Sequence, residues 1–156
     1  MQSEFGDLVV QLRIIMAGTG KRQEKARRAA SAIGQAGPYR WVGLYDVGPT
    51  HIEVIGWAGP SAPSHPTFPR NQGLNGAAVV SGEPIIVQDV KRDPRYLSTL
   101  GSTRAEMIMP VRPRPGGEVV GTIDVESERV NSFADCDRAL LSACAEALTD
   151  LWAGAV

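Results

Sequence analysis

Two apolar runs, residues 105–112 and 118–126, flank the loop Pro113-Arg-Pro-Gly-Gly117. Runs of this kind joined by a Gly-containing loop read as an antiparallel hairpin. A five-residue loop sets Glu106 opposite Asp124, Ile108 opposite Thr122 and Pro110 opposite Val120. Side chains alternate faces along a strand, so Glu106, Asp124 and Glu126 share one face. Like charges set opposite each other destabilise a sheet. Such a face persists when it meets water, an arginine or a cationic ligand. Arg40, Arg70 and Arg104 are the candidate internal partners. A loop of even length would separate Glu106 from the other two acids.

A hairpin needs further strands and a covering layer, and the remaining pattern supplies both. Apolar positions at Phe5, Leu8, Val9, Leu12, Ile15 and Met16 have helical spacing. After Gly18-Thr-Gly20, residues 21–35 read as a second helix with Ala26, Ala29, Ala30 and Ile33 on one stripe. Its other side, Lys21, Arg22, Lys25, Arg27 and Arg28, is basic: a solvated face or a docking face. Strands are expected over 39–47, 51–57 and 84–90, and a short helix over 74–81 stopped by Gly82. Residues 58–71 carry Pro60, Pro63, Pro66 and Pro69 and read as a long irregular loop. Loops of that length in compact domains are usually functional. Residues 134–152 read as a terminal helix with Leu140, Leu141, Cys144, Leu148, Leu151 and Trp152 on one stripe. Hairpins bracketed by terminal helices predict an α+β domain.

Composition narrows the function. The chain has 156 residues, 16 Lys+Arg against 17 Asp+Glu, a formal net charge of −1 and 43% hydrophobic residues. That fits a single folded domain and disfavours nucleic acid as a partner. No membrane-spanning run and no signal-peptide pattern is evident, so a cytoplasmic location is expected. Walker A, GxSxG and GxGxxG motifs are absent. The only histidines are His51 and His65, and the only cysteines Cys136 and Cys144, so no familiar metal-ligand spacing appears. On one helix the two thiols would stand about 12 Å apart along its axis. They cannot form a disulfide there and are expected to be small buried groups.

Several ordered motifs together resemble a GAF domain. They are Trp41-Val-Gly-Leu-Tyr45, Gly73-Leu-Asn-Gly76, Pro84-Ile-Ile-Val-Gln-Asp-Val90, Ala105-Glu-Met-Ile-Met-Pro-Val111, Gly121-Thr-Ile-Asp-Val-Glu-Ser127 and Phe133-Ala-Asp-Cys-Asp137. The resemblance implies a central antiparallel sheet of five or six strands. N- and C-terminal helices would pack on one face, with a loop-roofed pocket on the other. It divides the chain into N-terminal helices over 1–38 and the domain proper over 39–156. It also implies a small-molecule sensor in signal transduction, read by a partner protein, and a homodimer formed through the terminal helices, with Leu8, Leu12, Leu148 and Trp152 near the interface.

Within that family the chain is most similar to the free methionine-(R)-sulfoxide reductases. The resemblance places the substrate-facing acids on Glu106, Asp124 and Glu126, and the enclosing aromatic on Trp57 or Tyr45. The branch's thiolates fall on His65, Asn75 and Thr99, none of which can attack a sulfoxide or form a recycling disulfide. The pocket has no cysteine for a bilin, and no cofactor or metal is expected. The resulting expectation is a binding module for a ligand with a cationic group, such as an amino acid or amine. Asn75, Arg70 and Thr99 are expected to supply polar contacts and His65 to lie in the roof. The alternatives are a reductase-like enzyme with displaced chemistry and a ligand-free dimerisation module.

Overall fold

The structure is a computed structural model that describes residues 2–153. Residues 1 and 154–156, the outermost positions of the two expected segments, lie outside the described residues. Six antiparallel strands form one sheet in the order β3-β2-β1-β6-β5-β4. The strands are β1 (Trp41–Val47), β2 (His51–Ala58), β3 (Thr67–Pro69), β4 (Ile85–Val87), β5 (Ala105–Val111) and β6 (Gly121–Ser127). The α-helices are α1 (Gln2–Ala17), α2 (Arg22–Gln35), α3 (Gly73–Ser81), α4 (Asp135–Ala147) and α5 (Asp150–Ala153). The α+β architecture is the expected one.

The terminal helices cover one face. Leu8, Leu12, Ile15, Ala26, Ala29, Ala30 and Ile33 meet Val42, Leu44, Met107, Met109, Ile123 and Val125 in one core with Leu141, Cys144, Leu148 and Trp152. The alanine stripe of α2 allows a close approach to β2. A Cβ on Gly56 would stand 2.7 Å from the Arg27 backbone nitrogen. Leu8, Leu12, Leu148 and Trp152 are therefore consumed inside the chain, which corrects their expected placement at a dimer interface. The exposed large apolar side chains of α1 are Val10 and Ile14.

Four further expectations are corrected. The 134–152 helix is two helices, because the chain turns after Leu148 and brings the Trp152 ring beneath Gly121. There the indole Nε1–H donates to the Tyr45 carbonyl at 3.2 Å. The loop 58–71 contains the edge strand β3, paired with His51–Glu53. The expected strand over 84–90 ends at Val87, and a single 3₁₀ turn follows at Val90–Arg92. The hairpin register is shifted by two residues. Glu106 pairs with Glu126, Ile108 with Asp124 and Pro110 with Thr122, because β6 begins only at Gly121 and the connection is longer than five residues. A two-residue shift preserves parity, so the acids still share a face.

Arg22 ties three elements together. Its guanidinium is bidentate on Asp46 at the end of β1, with Nη1 to Oδ2 at 2.6 Å, and its Nε donates to the Leu151 carbonyl at 2.7 Å. Asp46 is adjacent to Tyr45, so the start of α2 and the short α5 meet at one stretch of β1.

Candidate functional site

The face opposite the helices is closed by α3 and the loops on either side of it. Glu106, Asp124 and Glu126 project from the two central strands into this enclosure, exposed by 2%, 0% and 0%. One oxygen from each lies within 4.8 Å of the other two. Cross-strand pairing sets Glu126 beside Trp41 and Asp124 beside Gly43. A Cβ on Gly43 would stand 2.3 Å from the Trp41 ring, so glycine there lets the indole lie across the strand.

Few protein groups satisfy the acids. The Asn75 amide donates to Asp124 Oδ2 at 3.1 Å, and the Thr122 hydroxyl donates to Asn75 Oδ1 at 2.6 Å. The Thr103 hydroxyl donates to Glu126 Oε1 at 2.7 Å. Glu106 Oε2, Asp124 Oδ1 and Glu126 Oε2 are buried and have no hydrogen-bond partner among the described residues. Burial and mutual repulsion push Glu106 well above the usual carboxylate range. Burial raises Glu126 likewise, assisted by the Asp124 charge and opposed by Thr103 and Thr99. Burial also lifts Asp124, to about 6, while hydrogen bonds to Glu106 and Asn75 hold it lowest of the three. Burial and mutual repulsion thus favour the protonated forms within this cluster.

The expected arginines do not reach the acids. Arg40 pairs with Glu128, Arg104 Nη2 lies 3.9 Å from Asp89, and Arg70 donates to the Gly48 carbonyl at the β1–β2 turn. Arg70 is thereby removed from the polar end of the site, because its side chain is committed to the far end of β2. His65 lies in the roof as expected, but it is exposed and its Nδ1 pairs with the Ser98 carbonyl at 2.9 Å. Asn75 and Thr99 do border the acids. Of the two aromatics, Tyr45 stands at the cluster, and burial together with the three acids raises its phenol. Trp57 shares that face but lies one strand further out, beside Gly43, packed on the Trp41–Tyr45–Phe68 aromatic cluster.

Sequence reasoning missed Trp41, Thr103 and Thr122 as members of the site. Trp41 is fully buried and its indole donates to the Ser61 carbonyl at 3.1 Å, anchoring the roof. A second anchor joins the two roof loops through Ser64 N and Oγ, both donating to the Thr99 carbonyl at 3.1 Å. The alternation that places Thr122 with the acids was visible, whereas the reach of Thr103 depends on the loop path.

The cysteines lie elsewhere. Cys144 is buried in the helical core and Cys136 is exposed on α4, so only one fits the expectation of a buried group. Burial raises the Cys144 thiol to about 12.

The chain is thus an α+β domain: a six-stranded antiparallel sheet with helices on one face and a roofed cluster of buried acids on the other. The chain matches the GAF domain family over residues 21–149 and belongs to it. That span begins at α2. Among curated relatives, GAF domain-containing protein A of Dictyostelium discoideum is 23% identical over 142 residues, covering 90% of this chain and 87% of its own. Among solved structures, the type II free methionine-R-sulfoxide reductase of Thermoplasma acidophilum is 29% identical with a TM-score of 0.75, covering 84% of this chain and 94% of its own. The free methionine-R-sulfoxide reductase of Neisseria meningitidis, solved in complex with its substrate, shares the fold. It has a TM-score of 0.83 and 23% identity, covering 95% of this chain and 87% of its own. Among the described residues, no helix is long and apolar enough to cross a membrane.

Proposed function

We propose that this GAF domain is a sensor for a small molecule bearing a protonated amine, an amino acid or simple amine, held in the chamber over β5 and β6. One observation carries the reading. Three buried carboxylate oxygens, one from each of Glu106, Asp124 and Glu126, have no hydrogen-bond partner among the described residues. An ammonium group has three N–H donors and a charge that compensates a buried acid cluster. Tyr45 and Trp41 supply aromatic walls against which a cation is favourably placed. Thr99 and Asn75 remain for the polar end of the ligand. The likeness to a reductase named for methionine sulfoxide, itself an amino acid, supports the same ligand class.

Thiol-dependent reduction is not part of the reading. His65, Asn75 and Thr99 stand where the resemblance places thiolates, and both cysteines are on α4. Self-association, where it occurs, uses the outer stripe of α1 with Val10 and Ile14.

The test is thermal unfolding against free amino acids, methionine sulfoxide, simple amines and cyclic nucleotides. Ligand at a hundredfold its dissociation constant adds about 2.7 kcal/mol, a shift of several degrees. Stabilisation by amine-bearing ligands, lost in Glu106→Gln and Asp124→Asn, supports the proposal. Stabilisation unchanged in those variants removes the acids from the site. Turnover above blank in a thioredoxin-coupled assay defeats the exclusion of reductase chemistry.

A further inference from the structure

The outer flank of β2 is left partly without a neighbouring strand among the described residues. β3 covers only His51–Glu53, and from Ile55 to Ala58 β2 has β1 on one side and no strand on the other. Natural proteins blunt an open edge with charge, proline or a bulge. Here Ile55-Gly-Trp-Ala58 carries no charge and no proline; the bulge falls on Ile55, at the inner end of the open stretch, and Gly56, Trp57 and Ala58 continue in regular pairing with β1. Beside this edge runs a groove of about 840 Å³ whose other wall is α2.

That wall is basic. Lys21, Arg27 and Arg28 line the groove and are exposed, and none makes an ion pair or side-chain hydrogen bond among the described residues. Glu24 is the one acid lining the groove. From Lys21 to Ser31 the helix runs about 15 Å, which matches about five residues of strand. A strand edge facing a helix flank is the geometry in which a peptide adds to a sheet. The backbone supplies affinity there and the helix side chains supply selectivity.

We infer that the cleft between α2 and the Ile55–Ala58 edge of β2 takes an extended acidic peptide, added as a seventh strand, with carboxylates alternating toward Arg27, Arg28 and Lys21. This site is separate from the acid chamber and independent of the ligand proposed for it.

The experiment titrates the full chain against a fluorescein-labelled hexapeptide in which glutamate alternates with valine, capped at both ends. The expected result is saturable binding that weakens at least tenfold in Arg27→Glu/Arg28→Glu. It also weakens as salt rises from about 50 to about 300 mM. Both substitutions are at exposed positions, and an unchanged circular dichroism spectrum and melting midpoint confirm that the variant folds. The same peptide N-methylated at alternate amides cannot form a ladder and is expected not to bind. Amides of β2 from Ile55 to Ala58 should gain exchange protection only when the parent peptide is present. Three results each overturn the inference. The first is no saturable binding at millimolar peptide. The second is equal binding of the N-methylated peptide, which would indicate charge attraction alone. The third is protection of the edge that rises with protein concentration without peptide, which would make the occupant a second copy of this chain.

Discussion

Glu106 and Glu126 stand directly opposite each other across the β5–β6 ladder, both sealed from water, with no cationic side chain among the described residues in an ion pair with either. A cross-strand pair of like charges is unfavourable even at a surface. Inside an enclosure it is tolerable only while protons or a ligand neutralise it.

A pH dependence follows. Unfolding returns the three carboxyls to ordinary values near 4. Between there and their raised folded values, the folded chain holds more protons than the unfolded one. Stability from these groups is therefore greatest below about pH 4. It falls as pH rises through the window, past Asp124 near 6 and on toward the higher values of Glu106 and Glu126. Urea denaturation of ligand-free protein at pH 5 and pH 8 should show the lower stability at pH 8. Glu106→Gln should raise stability at pH 8 by about 1–3 kcal/mol and flatten the profile.

Amine binding should carry the opposite sign. A bound ammonium replaces protons, so affinity rises with pH through the same window, by up to about tenfold per unit for each proton displaced. Calorimetry in two buffers of different ionisation enthalpy at pH 7.5 should register proton release. An affinity that is flat from pH 5 to 8 would contradict a direct ammonium–carboxylate contact.

The Gly121–Trp152 contact leaves no room for a methyl group. A Cβ on Gly121 would lie 2.2 Å from the indole. Gly121→Ala should cost about 1–3 kcal/mol by overpacking, and Trp152→Ala about 3–5 kcal/mol by leaving a cavity. The double variant should be markedly less unstable than the sum, which equilibrium unfolding of all four proteins measures.

Arg22→Ala should lose about 1 kcal/mol. The guanidinium is a third exposed, so solvent screens the pair, although its bidentate geometry on Asp46 and the bond to Leu151 exceed a simple surface bridge. A double-mutant cycle with Asp46→Asn should return a coupling energy of the same order, and a coupling near zero would mean that the packing of the arginine stem is what stabilises.

The thiols should separate by accessibility. Cys136 is exposed and Cys144 buried with its thiol raised to about 12. An aromatic disulfide reagent should titrate one thiol in the native protein and two in denaturant.

Strand alternation was legible because its period is fixed: a register shift of two residues moves pairs without changing faces, so Glu106, Asp124 and Glu126 emerged together. The shift itself was not legible, since residues 118–120 have strand composition yet lie before β6. β3 was hidden because three residues bounded by prolines carry no periodicity. The fates of Arg40, Arg70 and Arg104 depended on how loops fold back, and long side chains choose partners by tertiary position. Trp57 and Tyr45 looked equivalent in the sequence. Pairing distinguishes them, since Tyr45 is on the strand beside β6 and Trp57 on the strand beyond it.

Tyr45 offers its ring to the acid chamber and its carbonyl to the Trp152 indole on the opposite face. The two halves of the molecule thus share a partition only one residue thick. Under the proposed function, a guest that tilts the phenol would shift the acceptor holding the last helix, and the next residue, Asp46, anchors the start of α2. In the proposed function, occupancy on the roofed side would reach the helical side through the width of a single strand.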